Sequence, residues 1–497
     1  MAFDFALIFS LTNLVTNFLG VFIGIIFGAI PGISTAMTVA LFLPFTFAME
    51  PIQAFAFLLG LYVAGTYAGA ITAILIKTPG TPAAAATVLD GYPLAQQGRA
   101  NEALSIVTIA SFIGGSFGSL ILILLAPRVA SVALMFGPAE FFAIGLFGLS
   151  IIASLSTENF LKGILAACLG VLVSTVGMDP ITGSIRMTFG YMPLIGGIEF
   201  ISVLIGLFAV SEILTKLEKI AREKAIGDIS VEGKMVSLKT IKDNAFNIVR
   251  SCIIGILVGI IPAIGTGTGA WISYNEAKRG SKNKDLFGKG STEGLFAAET
   301  ANSAVTGGSL IPTLTLGIPG DVITAVMLGA FLIQGLTPGP ALFRDHPEVV
   351  TGIYVMFILS DVFMIILGLL GIRLFAKILK VPLDILMACV LVVCLLGAYA
   401  YNLSILNMRI ALIAGVVGYI FQKAKFPVPP VILGLILGPL VESNFRRALT
   451  ISHGSFDIFI TRPISALFIF IAVMAFVAPI LSKQYKKYKA YKNSHTT

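Results

Sequence analysis

The 497 residues are 57% hydrophobic and only 12% charged, with a mean hydropathy of +0.97. A soluble domain carries about 25% charged residues, so composition excludes a soluble enzyme or binding module and leaves an integral membrane protein. The formal net charge of +8 does not point to nucleic acid, because Lys and Arg collect in a few short loops and at the C-terminus, where they report membrane topology.

Apolar runs near the roughly 20 residues a helix needs to cross the hydrocarbon recur along the chain, which predicts an all-α membrane protein of about 12 transmembrane helices. The N-terminus, MAFDFALIFSLTNLV, lacks a basic n-region and a small-residue cleavage site and is expected to stay on the mature protein. From Phe18 to Phe47 an apolar run is interrupted at Pro31-Gly32-Ile33-Ser34-Thr35 and again at Pro44. Each half is too short to span, which fits a re-entrant hairpin or one kinked helix. A span over Ile52 to Ile76 follows, then Lys77-Thr78-Pro79-Gly80-Thr81-Pro82, an alanine run, and Asp90-Gly91-Tyr92-Pro93, where the punctuation predicts a helix end. Further spans are expected at 103–126, 139–155, 161–176 and 191–214.

The stretch from Thr215 to Arg250 is the longest polar segment, and its basic excess places it in the cytoplasm. It divides the chain into a first transmembrane repeat (1–214), a linker (215–250), a second repeat (251–482) and a basic cytoplasmic tail (483–497). The second half opens with Cys252 to Tyr274, broken between Pro262 and Gly269 and followed by more basic residues from Lys278 to Lys289. A segment with both flanks in the cytoplasm must enter and return, which predicts a second re-entrant hairpin. The stretch from Ala297 to Pro340 carries Pro312, Pro319, Pro338 and Pro340 among many glycines, so it reads as a pair of broken helices lining a polar site. Later spans are expected at 349–370, 385–400, 408–421, 428–441 and 464–481. Basic turns at Arg373, Lys377 and Lys380, at Lys423 and Lys425, and in the tail mark the inner face. Arg446 and Arg447 fall outside in this count, against the positive-inside rule.

GIIFGAIPGIST near the start recurs as GILVGIIPAIGT from Gly255, and ITAILIKTPGTPAAAATVL recurs loosely as IPTLTLGIPGDVITAVMLG from Ile311. The Pro-Gly breaks keep their order, and charge bias gives the two copies opposite orientation, which predicts inverted repeats with a substrate site between broken helices. Two independent kinked helices, selected for packing, are the plainer alternative.

Four blocks also carry a family resemblance: GIIFGAIPGIS with LPFTF, TPGTPAAAATVLDGYPLAQQGRA, AAETANSAVTGGSLIPTLTLGIPGD with GLTPGP, and PPVILGLILGPLVESNFRRAL. Together they closely resemble the large membrane subunit of the tripartite tricarboxylate transporters. The resemblance implies a secondary carrier of the bacterial cytoplasmic membrane with its C-terminus inside. It also implies three companions: a small membrane subunit, an extracytoplasmic solute-binding protein and a small carboxylate substrate of di- or tricarboxylate type. Coupling to a Na⁺ or H⁺ gradient is implied as well, with no other cofactor, no nucleic acid and only the lipid bilayer as further surroundings. A passive channel, or a stand-alone carrier of another small solute, is the alternative.

A carboxylate inside a membrane needs donors oriented beforehand, and helix N-termini supply unpaired N–H groups and a positive dipole end. The breaks nominate Gly32, Ser34 and Thr35; Lys77, Thr78, Pro79, Gly80 and Thr81; Thr266, Gly267 and Thr268; and Pro319 with Gly320 as substrate-binding residues. Each hydroxyl could instead bond back to its own helix. Lys77 departs from the small polar residue, such as Asn, that the family carries there. It could meet a substrate carboxylate, replace a coupling cation, or snorkel to the interface. Asn302 and Glu299 match the family block and are cavity candidates. Glu299 and Asp361, the latter in the middle of a span, are the candidates for ion coupling, with a protonated or hydrogen-bonded structural group as the other reading of Asp361.

Gly265-Thr266-Gly267-Thr268-Gly269 lacks the lysine and hydroxyl order of a phosphate loop. His346, His453 and His495 are scattered, and the four cysteines fall inside apolar runs at spacings that suggest neither metal nor disulfides. An enzyme would need such groups clustered.

Overall fold

The computed structural model describes residues 8–155, 160–220, 233–262, 264–371 and 383–477. It is built of helices, with one two-stranded hairpin among the described residues. Six helices there are long and apolar enough to cross a membrane, and seven shorter apolar helices accompany them. The basic turn at Arg373, Lys377 and Lys380, residues 221–232 of the linker and the 483–497 tail lie outside the described residues.

The chain divides into two compact units, residues 1–134 with 204–419, and 135–203 with 420–497. The first unit begins with α1 (Leu11–Gly28), α2 (Thr35–Phe42, prolonged by a 3-10 turn over Leu43–Ala48), α3 (Pro51–Ile76), α4 (Ala84–Gln96) and α5 (Ala100–Ala133). After a π turn over Ile205–Val210 it continues with α9 (Ser211–Ile220), α10 (Leu238–Asp243), α11 (Ala245–Ile260), α12 (Gly265–Gly280), α13 (Thr292–Leu316), α14 (Val322–Ile333), α15 (Pro340–Asp345), α16 (Pro347–Leu370), α17 (Leu383–Ala400) and most of α18 (Ile405–Lys423).

Glycines set how these helices approach. A Cβ on Gly24 would meet Leu61 and Ala64 of α3, and one on Gly28 would meet Gly65 and Ala68. The same pattern recurs later: Gly255 faces Ala301 and Ala304 of α13, and Gly259 faces Val305 and Gly308. Small residues at such crossings let backbones touch, and dispersion across the contact then holds helices together in lipid. The contacts also fix direction. Contact positions rise together along α1 and α3, so these helices are parallel, and the same holds for α11 and α13. The chain between each parallel pair therefore turns back, and α2 and α12 are those return legs. Gly352 on Ile52 and Gly368 on Tyr67 make α16 parallel to α3. Gly115 on Asp361 and Thr108 on Gly368 make α5 antiparallel to α16, and Gly114 on Thr300 with Gly118 on Gly307 makes α13 parallel to α5. Thus α1, α3 and α16 run one way, and α5, α11 and α13 the other.

Several boundaries differ from expectation. α1 starts at Leu11, well before Phe18, because Ser10 caps it and its polar Asn13, Thr16 and Asn17 are buried against the protein. Asn17 Nδ2 donates to Ala56 O at 2.7 Å and to Ser360 Oγ at 2.8 Å. α4 continues through Pro93 to Gln96 instead of ending at the Asp90–Pro93 punctuation. α13 likewise runs unbroken through Pro312 as far as Leu316, so the 297–340 stretch breaks only at 317–321 and again at 334–339. Residues 191–199 form a short 3-10 turn and loop, and the helix there, α8 (Phe200–Leu204), starts only at Phe200.

The second unit holds α6 (Pro138–Leu155), α7 (Phe160–Ser174), the hairpin of β1 (Gly177–Met178) and β2 (Ile185–Arg186), α19 (Pro429–Ile451), α20 (Ile458–Thr461) and α21 (Pro463–Val477). Gly170 and Gly434 bring α7 and α19 into backbone contact. Beside the hairpin, Asp179 accepts from Arg186 and, at 2.8 Å, from Arg446, while Arg186 also reaches Glu442 at 2.8 Å. The Thr182 hydroxyl, these arginines and the Ile181 N–H hold the Asp179 carboxyl well below the usual carboxylate range. Arg446, anomalous under the positive-inside rule, is thus neutralised locally.

Candidate functional site

The first unit brings the four sequence breaks together. A Cβ on Gly80 would lie 2.8 Å from the Gly28 carbonyl oxygen and 2.8 Å from Gly69 Cα, so the first and second breaks touch. One on Gly267 would lie 3.7 Å from Pro82 C and Ala83 N, and one on Gly265 would lie 3.9 Å from Asp321 Cβ. The third break therefore meets the second and the fourth.

The breaks after α3 and α13 are built alike. Lys77 and Gly317 each end their helix in the left-handed region, with φ of 59° and 70°. Thr78 N–H then donates to Thr72 O at 3.4 Å and Ile318 N–H to Pro312 O at 3.3 Å, the same six-residue closure. Gly80 packs on Gly69, and Gly320 packs on Ser309. Asp321 then caps the next helix, Thr324 N–H donating to its Oδ1 at 2.7 Å, while Thr81 holds the turn that leads into α4, accepting from Ala84 N–H at 3.3 Å.

The hydroxyls divide between the two roles expected of them. Ser34 Oγ accepts from Met37 N–H at 3.2 Å as a helix cap, Thr268 donates back to Ile264 O at 3.1 Å, and Thr78 donates to Ile76 O at 3.3 Å. Thr35 Oγ1 is buried without a hydrogen-bond partner among the described residues, as are Thr66 Oγ1, Ser309 Oγ and Asn302 Oδ1. A buried acceptor left unpaired is costly, so these oxygens suit a polar ligand or a small hard cation. Thr266 and Gly267 are half-buried, Pro319 and Gly320 are buried.

Glu299, 1% exposed, accepts from the Thr87 hydroxyl and from Asn302 Nδ2 at 3.2 Å; the same Nδ2 reaches Thr66 O at 3.3 Å. Glu299 and Asn302 thus join α13 to α3 and α4. Lys77 is exposed, its ammonium 5.5 Å from the centre of the Tyr92 ring. Asp361 stands apart: on α16, it accepts from Ser119 of α5 at 3.0 Å, and its Oδ1 has no partner among the described residues.

Two buried carboxylates escaped the sequence reading as parts of this region. Asp321, 3% exposed, accepts from the Tyr62 hydroxyl at 2.6 Å and forms a reciprocal capping box with Thr324. Its signal was an Asp three residues before a Thr at a helix start. Asp90 Oδ1 accepts from the N–H groups of Gly288, Gly290 and Ser291, and its Oδ2 from the Tyr274 hydroxyl at 2.9 Å. A lone charge within an apolar run was the available clue. Among the described residues no group of three or more His, Cys, Asp and Glu side chains could hold a metal ion.

Comparison with known proteins gives the family. The profile of the tripartite tricarboxylate transporter TctA family matches residues 14–433. A 52.8 kDa protein of Agrobacterium vitis, described as uncharacterized and located in the TAR-I ttuC' 3' region, is 36% identical over 449 residues, 90% of this chain and 89% of its own. A second Agrobacterium vitis protein, from the TAR-II ttuC' 3' region, is 34% identical over 227 residues, 46% of this chain and 94% of its own. No solved structure matches. The chain, with its many apolar helices, is a multi-pass membrane protein that belongs to the tripartite tricarboxylate transporter TctA family.

Proposed function

We propose that the protein is the large membrane subunit of a secondary active importer of a small carboxylate, driven by a Na⁺ or H⁺ gradient. In this reading it works with a small membrane subunit and an extracytoplasmic binding protein, in the bacterial cytoplasmic membrane with its C-terminus inside. The observation that carries the reading is the pair α3 and α13. They run in opposite directions, end in the same left-handed closure and deliver their breaks to one place. Inverted repeats of transporters generate this relation, with substrate held near the midplane by half-helix N-termini and ions by freed oxygens. The two halves, 1–214 and 251–482, are then repeats, with α1–α2 and α11–α12 as their re-entrant hairpins. About a dozen elements at membrane depth follow.

Substrate binds at the N–H groups of the breaks around Gly32, Thr35, Gly80, Thr81, Gly267 and Gly320. Lys77 stands as a cation at the rim. Glu299 and Asn302, with the free oxygens of Thr66 and Ser309, form the coupling locus. Asp361 is a separate coupling candidate.

Uptake of labelled mono-, di- and tricarboxylates into proteoliposomes containing the three components, with Na⁺ and proton gradients imposed separately, tests the proposal. Accumulation that collapses with one gradient is expected. Equilibration insensitive to both would make the protein a pore, and absence of flux would remove the carboxylate assignment.

A further inference from the structure

We propose that Lys216 of α9 is a carboxylate-recognition residue at the first break, an inference that rests on the transport reading above. Gly32 adopts φ +82°, and Lys216 Nζ and Cε are the atoms nearest to where a Cβ on Gly32 would stand. A side chain there would be strained by the backbone and would also displace the ammonium. Lys216 itself is half-buried. Among the described residues no carboxylate lies within ion-pairing distance of it.

The ammonium is set beside the start of α2, whose first N–H groups and dipole present a second positive feature. Thr35, the first residue of α2, is 3% exposed and its Oγ1 has no hydrogen-bond partner among the described residues. The ammonium and the helix N-terminus are two positive features at one break that an anion can join, with the unpaired Thr35 hydroxyl nearby, on the side of Gly65 of α3. A carboxylate does so, taking charge-assisted bonds from the ammonium and further donors from the hydroxyl and N–H groups. Lysine suits this place because its three donors rotate to meet an anion that must later leave. α1 and α3 are parallel, so Lys216 beside the end of α1 and Lys77 at the end of α3 flank the first two breaks from the same end.

The test is calorimetric titration of the full-length protein, in nanodiscs of purely zwitterionic lipid, with succinate and with citrate. Removing one partner of a desolvated charge pair weakens binding strongly. Lys216→Gln is expected to raise Kd by about 30-fold or more, with Lys216→Arg recovering much of the loss. Gly32→Ala should also weaken binding, and Lys278→Gln, at an exposed position near the far end of α12, should bind as wild type. Melting curves accompany each variant; if K216Q melts early, Lys216→Met, which keeps the apolar stem, is read in its place. Wild-type binding that survives in K216Q and K216M overturns this inference and leaves the transport reading standing. Wild type that binds neither acid overturns both. Loss of a contact with lipid phosphate is excluded as the cause if anionic lipid added to the discs leaves the wild-type Kd unchanged; competition by such lipid would assign Lys216 to the headgroup instead.

Discussion

The breaks that follow α3 and α13 share a backbone path and differ in how tightly side chains close them. After α13 the left-handed position is a glycine, and the next helix opens on Asp321, buried, engaged in both directions of a capping box and held by Tyr62. After α3 the left-handed position is Lys77, exposed, and the turn into the next helix is held by a single 3.3 Å side-chain bond to Thr81. The difference teaches that two breaks with one backbone path can differ in rigidity, because side chains and not the path decide how firmly each is closed. The break after α13 is pinned, and the break after α3 is held more loosely.

Asp321→Ala should produce the largest effect. It removes the cap, worth about 1 kcal/mol, and leaves the buried Tyr62 hydroxyl unpaired, worth about 1–3 kcal/mol. A destabilisation of about 2–4 kcal/mol is expected in unfolding of the purified protein, with Asp321→Asn costing clearly less. An Asp321→Ala variant as stable as wild type would break the claim that this side is pinned.

Where the breaks agree, substitutions should agree. A Cβ at Gly80 or at Gly320 would sit within 3 Å of backbone atoms, those of Gly28 and Gly69 in one case and Ser309 in the other. Overpacking of this kind costs about 1–3 kcal/mol, so Gly80→Ala and Gly320→Ala should lower melting temperatures by similar amounts. A large inequality would mean that the two closures are alike only in outline.

Much of this architecture was legible in the residues, and the exceptions have physical causes. The Pro-Gly strings located all four breaks, because proline removes a donor and glycine alone takes positive φ freely. Pro93 and Pro312 misled, since each stays inside a helix that its neighbours hold: Asp90 ties α4 to three N–H groups, and α13 is buried along nearly its whole length. Helix starts were missed where polar residues are buried against protein, as with Asn13 and Asn17 of α1, because apolarity marks lipid contact and these faces have none. Glu299 and Asn302 were nominated by their family block, whereas the match of Tyr62 to Asp321 needed the fold.

Thr81→Ala tests the more loosely held turn. Loss of its one bond to Ala84 N–H is expected to cost about 1 kcal/mol, less than Asp321→Ala, and Thr81→Ser should restore most of it. Equal losses at Thr81 and Asp321 would erase the asymmetry.

The smallest expected effect has the opposite sign. Lys77 holds φ 59°, a conformation that costs an ordinary L-residue roughly 1 kcal/mol, whereas Gly317 holds its counterpart at little cost. Lys77→Gly should therefore stabilise the fold by up to about 1 kcal/mol, offset in part by the lost contact with Tyr92. Strained side chains that a simpler residue could replace are retained where they act. On that argument the same variant should slow carboxylate uptake while melting higher. A variant that is more stable and transports as well as wild type would instead make Lys77 an interfacial anchor, and recognition of the anion would then fall to the backbone N–H groups and to Lys216.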